Sequence, residues 1–207
     1  MTGRAWSLDH HSGGAGEFHA LDLPVPTNRV VWWFEVQRPA IVLGSTQNLA
    51  VVDRVAADRA GVEVVRRRSG GGAVWLAPGV VTWLDLVLPA GDPLWDDDVS
   101  RAAAWVGETW VRTLDRLGHP GGNIHQGGLV ATAWSPLVCF AGLGPGEVSI
   151  DGHKVLGVSQ RRTRSGARFQ CALLHYWDPG PLLEVLDLAP AEREAASSAL
   201  VLAARGV

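Results

Sequence analysis

The stretch IDGHKVLGVSQRR, residues 150 to 162, contains Lys154, the single lysine among the eighteen basic residues of the chain. All the other basic residues are arginine. A solvated surface charge would be served by either residue type, whereas a compact ammonium on a flexible stem can follow a charge that moves during a reaction. Lys154 is therefore a candidate for chemistry. The alternative is a stray lysine in an arginine-biased composition.

A glycine-rich loop is the second candidate. RRRSGGGAV, residues 66 to 74, follows a predicted strand and offers three glycines whose backbone N–H groups can approach a ligand closely, beside arginines suited to carboxylate or phosphate. No Gly-Lys-Ser/Thr follows, so it is not a Walker loop, and contiguous glycines do not match the dinucleotide fingerprint. Taken alone, the loop is equally typical of a β-bulge or a tight turn.

The chain has two cysteines, Cys139 and Cys171. A cysteine thiol attacks as a thiolate, so it needs a depressed pKa to act as a nucleophile. The segment PLVCFAG around Cys139 is typical of a buried strand cysteine. Cys171 interrupts a predicted strand, and we expect it to be structural. With few cysteines, no signal peptide and no apolar run of membrane-spanning length, we expect a reduced, cytoplasmic setting.

The bulk composition describes a globular protein with no general attraction for polyanions. Hydrophobic residues make up 47% of the 207 residues and charged residues 19%, with a net charge of −3. This balance gives no electrostatic reason to bind nucleic acid or anionic membrane, and we predict neither as a partner. Two local clusters, Arg66 to Arg68 and the arginines at 161, 162, 164 and 168, predict a positive rim for phosphate or an acidic partner, with the last two equally consistent with solvated turns.

The elements that would position these residues are mostly hairpins. Runs of β-branched and aromatic residues bounded by turns predict strands in RVVWWFEVQ, AIVLGS, VEVVRR, LVATAW, PLVCFAG, EVSI, HKVLGVSQ and FQCALLHYW. Asp151-Gly152 predicts a tight two-residue turn, and Pro78-Gly79 predicts a hairpin between AVWLA and VVTWLDLVL. Apolar spacing predicts a helix ending at Gly118, and two helices end the chain. We predict an α+β fold, with a mainly antiparallel or mixed sheet flanked by helices and residues 1–28 as a loose N-terminal arm.

These motifs together resemble the lipoate–protein ligase family, which includes octanoyl- and lipoyl-transferases and shares its catalytic fold with biotin ligases. The resemblance rests on the glycine loop, the hairpin carrying Gly152, Lys154 and Gly157, the intervening Cys139-Phe140 and the trailing QRR. IVLGSTQN also looks like the family's segment ahead of the loop. The resemblance runs from about Arg29 to Asp178, and the order of three separate motifs makes it more specific than any one.

The resemblance implies one catalytic domain over residues 29–207, without a separate C-terminal accessory domain. It implies that the glycine loop wraps a medium-chain acyl group while Lys154 contacts the acyl carbonyl and any phosphate. The implied substrate-binding residues are Gln47, Arg67, Ser69, Gly70, Gly71, Gly72, Ala73, Val74, Val155 and Gly157. Elementary chemistry agrees, because acyl transfer develops negative charge on the carbonyl oxygen and an ammonium aimed there stabilises it. No protein-bound metal is expected.

Two mechanisms remain open within this resemblance. Ligases form an acyl-adenylate from ATP and Mg²⁺, but polar residues usual in the family are replaced by Leu76, Ala77 and Val80. Transferases of one group use a cysteine in a CF segment, which Cys139 resembles. The family's His-Gly pair is Gln170-Cys171 here, so a degenerate binding module for an acyl group or a lipoyl domain is a further alternative.

The resemblance also implies substrates and partners. Lipoate or octanoate would be the acyl substrate, and no tightly bound cofactor is expected. The acceptor would be a lysine of a lipoyl carrier domain or a glycine-cleavage-type carrier protein. An acyl carrier protein as donor and a separate accessory subunit are further possible partners.

Overall fold

The computed structural model describes residues 5–23, 25 and 28–207. In this part of the chain there are ten strands and five helices. The strands are β1 (Trp6–Gly13), β2 (Arg29–Val36), β3 (Ala40–Leu43), β4 (Glu63–Arg66), β5 (Val74–Leu76), β6 (Val81–Pro89), β7 (Gly122–Ile124), β8 (Val148–Ile150), β9 (His153–Arg162) and β10 (Gly166–Leu174). The helices are α1 (Ala15–Ala20), α2 (Arg54–Arg59), α3 (Ala104–Arg116), α4 (Gly180–Glu184) and α5 (Pro190–Leu200).

The strands form two sheets. The larger has seven strands in the order β1-β2-β6-β10-β9-β8-β7, and the smaller has the order β4-β3-β5. In the larger sheet only β1 runs parallel to its neighbour, and in the smaller sheet β3 is parallel to β4 and antiparallel to β5. The predicted α+β class with a mainly antiparallel, mixed sheet is confirmed. None of the helices in the residues described is long and apolar enough to cross a membrane.

The hairpin that carries Lys154 forms as predicted. Asp151 and Gly152 have φ angles of 53° and 81°, which is the left-handed conformation that a tight turn between β8 and β9 requires. Asp and Gly tolerate this region because they pay little steric penalty there. Lys154 pairs with Ser149 across the hairpin, next to a register shift between Val148 and Ser149.

The N-terminal arm is not loose. Strand β1 lies along β2 from the Trp6–Arg29 pair to the Gly13–Val36 pair. Helix α1 then buries Phe18, whose ring centroid lies 4.7 Å from that of Phe34. An eight-residue ladder and a buried aromatic ring order this segment, although its Gly- and His-rich composition predicted a loose arm. Residues 1–4, 24, 26 and 27 of the predicted arm lie outside the described part of the chain.

One predicted hairpin and two predicted strands are wrong. Strand β5 pairs with β3 in the smaller sheet while β6 joins the larger one, so the turn at Pro78-Gly79 connects two sheets and closes no hairpin. LVATAW and PLVCFAG form no ladder and contribute single bridges, Val130 with Leu143 and Ala73 with Val138. An apolar run indicates burial, but it does not specify a hydrogen-bonded partner strand.

Helix α3 covers one face of the larger sheet. Its buried residues Val106, Trp110 and Leu114 belong to the apolar face that the spacing predicted, and they pack in one cluster with Leu156 and Phe169 of β9 and β10. The opposite face of β9 and β10 meets the glycine loop. The candidate site lies on that side.

Candidate active site

A cavity of about 290 Å³ opens between the glycine loop and strands β9 and β10. It brings together segments far apart in the sequence: the loop, the Cys139 turn and the lysine hairpin. The predicted residues that line it are Arg67, Gly70, Gly71, Gly72, Val74, Cys139, Lys154 and Gly157. Much of the remaining wall is apolar, including Val42, Leu76 and Trp83. Such a mixture of an apolar wall and a few polar groups is typical of a small-molecule site.

Lys154 forms a buried ion pair at the cavity wall. Its side chain is only 3% exposed, and its Nζ lies 2.5 Å from Oε2 of Glu147. Nζ also donates to the carbonyl oxygens of Cys139 at 3.1 Å and Gly142 at 3.0 Å, and it lies 4.9 Å from the centre of the Phe140 ring. An ammonium has three N–H donors, and three acceptors surround this one. The charge is therefore held at a fixed position beside the cavity.

Glu147 completes this cluster and was not predicted from the sequence. Its Oε2 accepts from the backbone N–H of Gly144 at 2.6 Å, and its Oε1 accepts from that of Val158 at 3.1 Å. Both oxygens of this buried carboxylate therefore have hydrogen-bond donors, which offsets the cost of burying a polar group. The sequence does carry one signal for Glu147. It is a single acidic residue at the edge of an apolar hairpin, opposite the strand that carries the only lysine.

The glycine loop packs closely against neighbouring backbone. A Cβ atom at Gly72 would lie 2.6 Å from the carbonyl carbon of Val138 and 2.7 Å from the nitrogen of Cys139, and Gly71 has a φ of 95°. The Arg67 guanidinium donates to the carbonyls of Val42 at 3.0 Å, Gly70 at 2.7 Å and Gly72 at 2.9 Å. Arg67 thus supports the loop from inside, and burial lowers its pKa.

The two cysteines occupy different surroundings. Cys139 is partly exposed on the cavity wall, its N–H donates to the Ala73 carbonyl at 2.9 Å, and its carbonyl accepts from Lys154. Cys171 is fully buried on β10, and burial raises the pKa of its thiol to about 12. A thiol with such a pKa is a poor nucleophile at neutral pH. Both cysteines line the cavity, but only Cys139 is partly exposed and lies in the turn that Lys154 contacts.

A polar group of side chains lies further along the cavity, around Gln170. Ser69 Oγ lies 3.1 Å from Ser159 Oγ, and both hydroxyls lie 3.4 Å from Gln170 Oε1. Gln170 Nε2 lies 3.4 Å from Nδ1 of His19, which belongs to α1. Burial, followed by the charges of Arg168 and Arg67, lowers the pKa of His19 to about 3. The ring of His19 is therefore neutral at physiological pH.

Four predicted residues are not on the cavity wall. Gln47 accepts from the Gly44 N–H at 2.9 Å and donates to the carbonyls of Pro136 and Leu137 at 3.1 Å. Ala73 is buried and pairs with Val138, and Val155 is a buried core residue of β9. The hydroxyl oxygen of Ser69 lies 3.1 Å from that of Ser159. Through these contacts the four shape the loop and the hairpin.

One arginine of the predicted positive rim is buried. Arg168 on β10 is 2% exposed, and its Nε donates to Oδ2 of Asp85 on β6. Its other guanidinium nitrogens donate to the carbonyls of Leu21 at 3.1 Å and Phe18 at 3.0 Å, so it holds the end of α1. Arg68, in contrast, is exposed and pairs with Asp22 at 2.7 Å.

Among the residues described, no cluster of three or more His, Cys, Asp or Glu side chains could hold a metal ion. Glu147, the carboxylate in the cavity wall, already faces Lys154 and two backbone N–H groups.

Comparison with known families decides where the chain belongs. The family model for the lipoyl protein ligase A/B catalytic domain matches residues 22–204. The chain belongs to this family. No curated protein sequence matches it.

Solved structures of lipoate–protein ligases share the fold of this lipoyl ligase-family domain. The bi-partite lipoate protein ligase of Thermoplasma acidophilum was analysed together with its E2 lipoyl domain. It aligns over 100% of this chain and 75% of that one, with a TM-score of 0.70 and 17% identity. Lipoate-protein ligase A bound with ATP aligns over 100% and 89%, with a TM-score of 0.66 and 17% identity. LipL1 of P. falciparum in complex with lipoate aligns over 96% and 58%, with a TM-score of 0.60 and 12% identity.

The structure gives places to the residues that the resemblance sets against polar residues of the family. Leu76 is buried and lines the cavity, and Ala77 and Val80 form the turn that links the two sheets. Gln170 lines the cavity and contacts Ser69, Ser159 and His19.

Proposed function

We propose that this domain transfers a lipoyl or octanoyl group to a lysine of a lipoyl carrier domain, through an acyl-adenylate made from ATP. One observation carries the proposal: in a member of this family, the only lysine lies as a buried, paired cation on the wall of an apolar cavity, beside the glycine loop. A relative solved with lipoate and another solved with ATP have the same fold. The carrier domain is suggested by the relative studied with its E2 lipoyl domain.

The chemistry would run in two balanced steps. A carboxylate oxygen of the fatty acid bonds to the α-phosphorus of ATP, and pyrophosphate leaves. The ε-amino nitrogen of the acceptor lysine then attacks the acyl carbonyl, the bond to AMP breaks, and the amine proton passes to solvent. In the second step negative charge develops on the carbonyl oxygen, where an adjacent ammonium lowers the barrier.

Lys154 would supply that ammonium. Its three donors are occupied by Glu147 and by the carbonyls of Cys139 and Gly142. The acyl carbonyl would therefore take the place of one backbone carbonyl, while Glu147 holds the lysine in its orientation. The Gly70 to Gly72 backbone, which also lines the cavity, would enclose the chain.

A second candidate is a cysteine-dependent octanoyl or lipoyl transferase. It is favoured by the position of Cys139, whose thiol lies on the same cavity wall as Lys154 and Arg67. The thiolate would attack the thioester of an acyl carrier protein, the carrier thiol would leave, and the acceptor lysine would then displace the cysteine. The apolar residues Leu76, Ala77 and Val80, where the family is usually polar, also favour a route without a nucleotide.

A third candidate, of another class, is a binding module that holds an acyl group or a lipoyl domain without turnover. The changes at Leu76, Ala77, Val80 and Gln170 favour it. The position of the chain's single lysine, which forms a buried ion pair on the cavity wall in the family's motif position, argues against it.

The deciding experiment is the intact mass of an apo lipoyl domain after incubation with this protein. One sample receives octanoate, ATP and Mg²⁺, and a parallel sample receives octanoyl-carrier protein. A mass gain of one octanoyl group only with ATP supports the ligase. A gain only with the carrier replaces it with the transferase, and no gain in either makes the binding module the leading function.

Cys139→Ser separates the two enzymatic routes. The ligase route predicts ATP-dependent transfer near the parent rate in this variant, since the thiol takes no part in it. Loss of transfer together with an octanoyl adduct on parent Cys139 would contradict the ligase and support the thioester route. Cys171→Ser is the matched control, because Cys171 is buried and its thiol is not expected to react in either route.

A further inference from the structure

The part of the cavity near Gln170 is more polar than an alkyl chain requires. Ser159, Gln170 and His19 all line it, and Ser69 supports them from behind. Fully apolar walls would suit an octanoyl chain best, because a buried polar group without a good partner costs free energy.

The hydrogen bonds within this group are long. Both serine hydroxyls lie 3.4 Å from Gln170 Oε1, and Gln170 Nε2 lies 3.4 Å from His19 Nδ1. O–H···O bonds in proteins centre near 2.8 Å and N–H···O bonds near 3.0 Å. The two serine hydroxyls bond to each other at 3.1 Å, and Gln170 also donates toward the buried Asp85 carboxylate and helps to lower its pKa. The long contacts to Gln170 Oε1 and to His19 are therefore the ones that a ligand group of the right polarity would supplement.

His19 offers a defined donor. Its ring is neutral, and its Nδ1 faces the amide nitrogen of Gln170, which places the ring proton on Nε2. For the residues described, the structure gives Nε2 no hydrogen-bond partner. The ring packs against Trp83 with centroids 4.7 Å apart, and Arg168 holds the carbonyls of Phe18 and Leu21 on either side of it. The donor is thus presented by a fixed element.

The polar group lies away from the lysine end. Gly157 of β9 is near Glu147, since a Cβ there would lie 3.8 Å from Oε1. Ser159 follows two residues later on the same face of the strand, about 7 Å further at the rise of a β-strand. An acid with its carboxyl at Lys154 would place the distal part of its chain beside Ser159 and Gln170.

We propose that the cavity selects medium-chain carboxylic acids that carry a neutral hydrogen-bonding group, such as a hydroxyl, on the distal part of the chain. Gln170 and His19 are the specificity-determining residues. The inference rests on the proposed function, in that it takes the cavity to be the acyl site, and it narrows the acyl substrate from plain octanoate to a distally polar acid.

Direct binding tests the inference without turnover. Isothermal titration calorimetry compares 8-hydroxyoctanoate with octanoate and 6-hydroxyhexanoate with hexanoate, because the two lengths probe different depths. We expect at least one hydroxy acid to bind about fivefold more tightly than its parent acid, the effect of one net hydrogen bond. Gln170→Leu and His19→Phe should each reduce this preference toward one, and circular dichroism and melting temperature verify that each variant is folded.

Gln160→Leu is the matched control. Gln160 lies next to Ser159 on β9 but off the cavity wall, where its Nε2 bonds to the Val99 carbonyl. This variant should keep the parent preference. A loss of preference in Gln160→Leu equal to that in Gln170→Leu would overturn the assignment to the cavity group.

The outcomes distinguish a failure of this inference from a failure of the proposed function on which it rests. Plain acids that bind as tightly as the hydroxy acids at both lengths would overturn the inference and leave the acyl site standing. Failure of all four acids and of lipoate to bind would overturn the acyl site itself, and the inference with it. A hydroxy-acid preference that survives both Gln170→Leu and His19→Phe would overturn the two named residues.

Discussion

Two buried ion pairs on adjacent strands of the larger sheet serve different ends. Lys154 on β9 pairs with Glu147 and binds two carbonyls of the Cys139 turn, whereas Arg168 on β10 pairs with Asp85 and binds two carbonyls at the end of α1. Both cations have side chains 3% exposed. Only the first pair lines the cavity. Burial and pairing therefore do not identify the functional cation, but contact with the cavity does.

The residue types fit these two roles. A planar guanidinium can donate to a carboxylate and to separate carbonyls in a fixed fork, which suits Arg168 to a permanent clasp of α1. Asp85 has no exposed surface, and burial raises its pKa to about 6 against the opposing effect of Arg168. An ammonium is compact and can exchange one acceptor for another, which suits Lys154 to a group that must meet a substrate.

The largest expected effects come from removing one member of each pair. Lys154→Met and Arg168→Met each leave a carboxylate buried without its cation, which costs about 3–5 kcal/mol. Urea unfolding should show both losses. Neither single variant distinguishes chemistry from stability, because each should also lose transfer through unfolding.

Double variants sharpen the comparison. Lys154→Met with Glu147→Gln and Arg168→Met with Asp85→Asn remove both charges, so each should recover part of the lost stability. Transfer to the lipoyl domain should return in the Arg168/Asp85 double variant and stay absent in the Lys154/Glu147 one. Transfer near the parent rate in a folded Lys154/Glu147 variant would remove the role we assign to Lys154.

The surroundings of Lys154 could be predicted from the sequence better than those of Arg168. Lys154, its hairpin turn and the glycine loop follow from local features: a unique residue type, an Asp-Gly turn and contiguous glycines. Each of these three features depends on a few neighbouring residues, and all three are present in the structure. The fold class followed for the same reason, from strands whose turns are explicit in the chain.

The arginine clasp depended on contacts across more than 80 residues, which no local pattern encodes. Arg168 was consistent with a solvated turn because its partners, Asp85 and the end of α1, lie on other elements. His19 was missed with them, since its position depends on α1 being held. The wrong hairpin at Pro78-Gly79 has the same cause, because strand pairing between two sheets is decided by tertiary packing.

A smaller effect is expected from crowding the loop that faces the lysine pair. Gly72→Ala places a Cβ 2.6 Å from the Val138 carbonyl carbon and 2.7 Å from the Cys139 nitrogen, so the Cys139 turn must shift. We expect a loss of about 1–3 kcal/mol in urea unfolding and a reduced transfer rate, because this turn supplies a carbonyl to Lys154.

Gly70→Ala is the control for that variant, since a Cβ at Gly70 meets no atom within 4 Å. It should leave the free energy of unfolding near the parent value. Equal losses of stability in both variants would mean that the loop needs glycine flexibility as such, and that the close approach at Gly72 is not the reason.

The smallest expected effect concerns His19, which lies between the two pairs and whose pKa is lowered from 6.5 to about 3, chiefly by burial and then by Arg168. Above about pH 6.5 the folded and unfolded states both hold it neutral, so it does not affect stability. As the pH falls below that value, the unfolded chain takes up a proton that the folded protein does not, and stability is lost at up to about 1.4 kcal/mol per pH unit.

His19→Phe should therefore flatten the fall in unfolding free energy between about pH 6.5 and pH 5, measured by urea titration. An unchanged slope in His19→Phe would mean that the ring is protonated in the folded protein, which would also remove the neutral donor from the cavity.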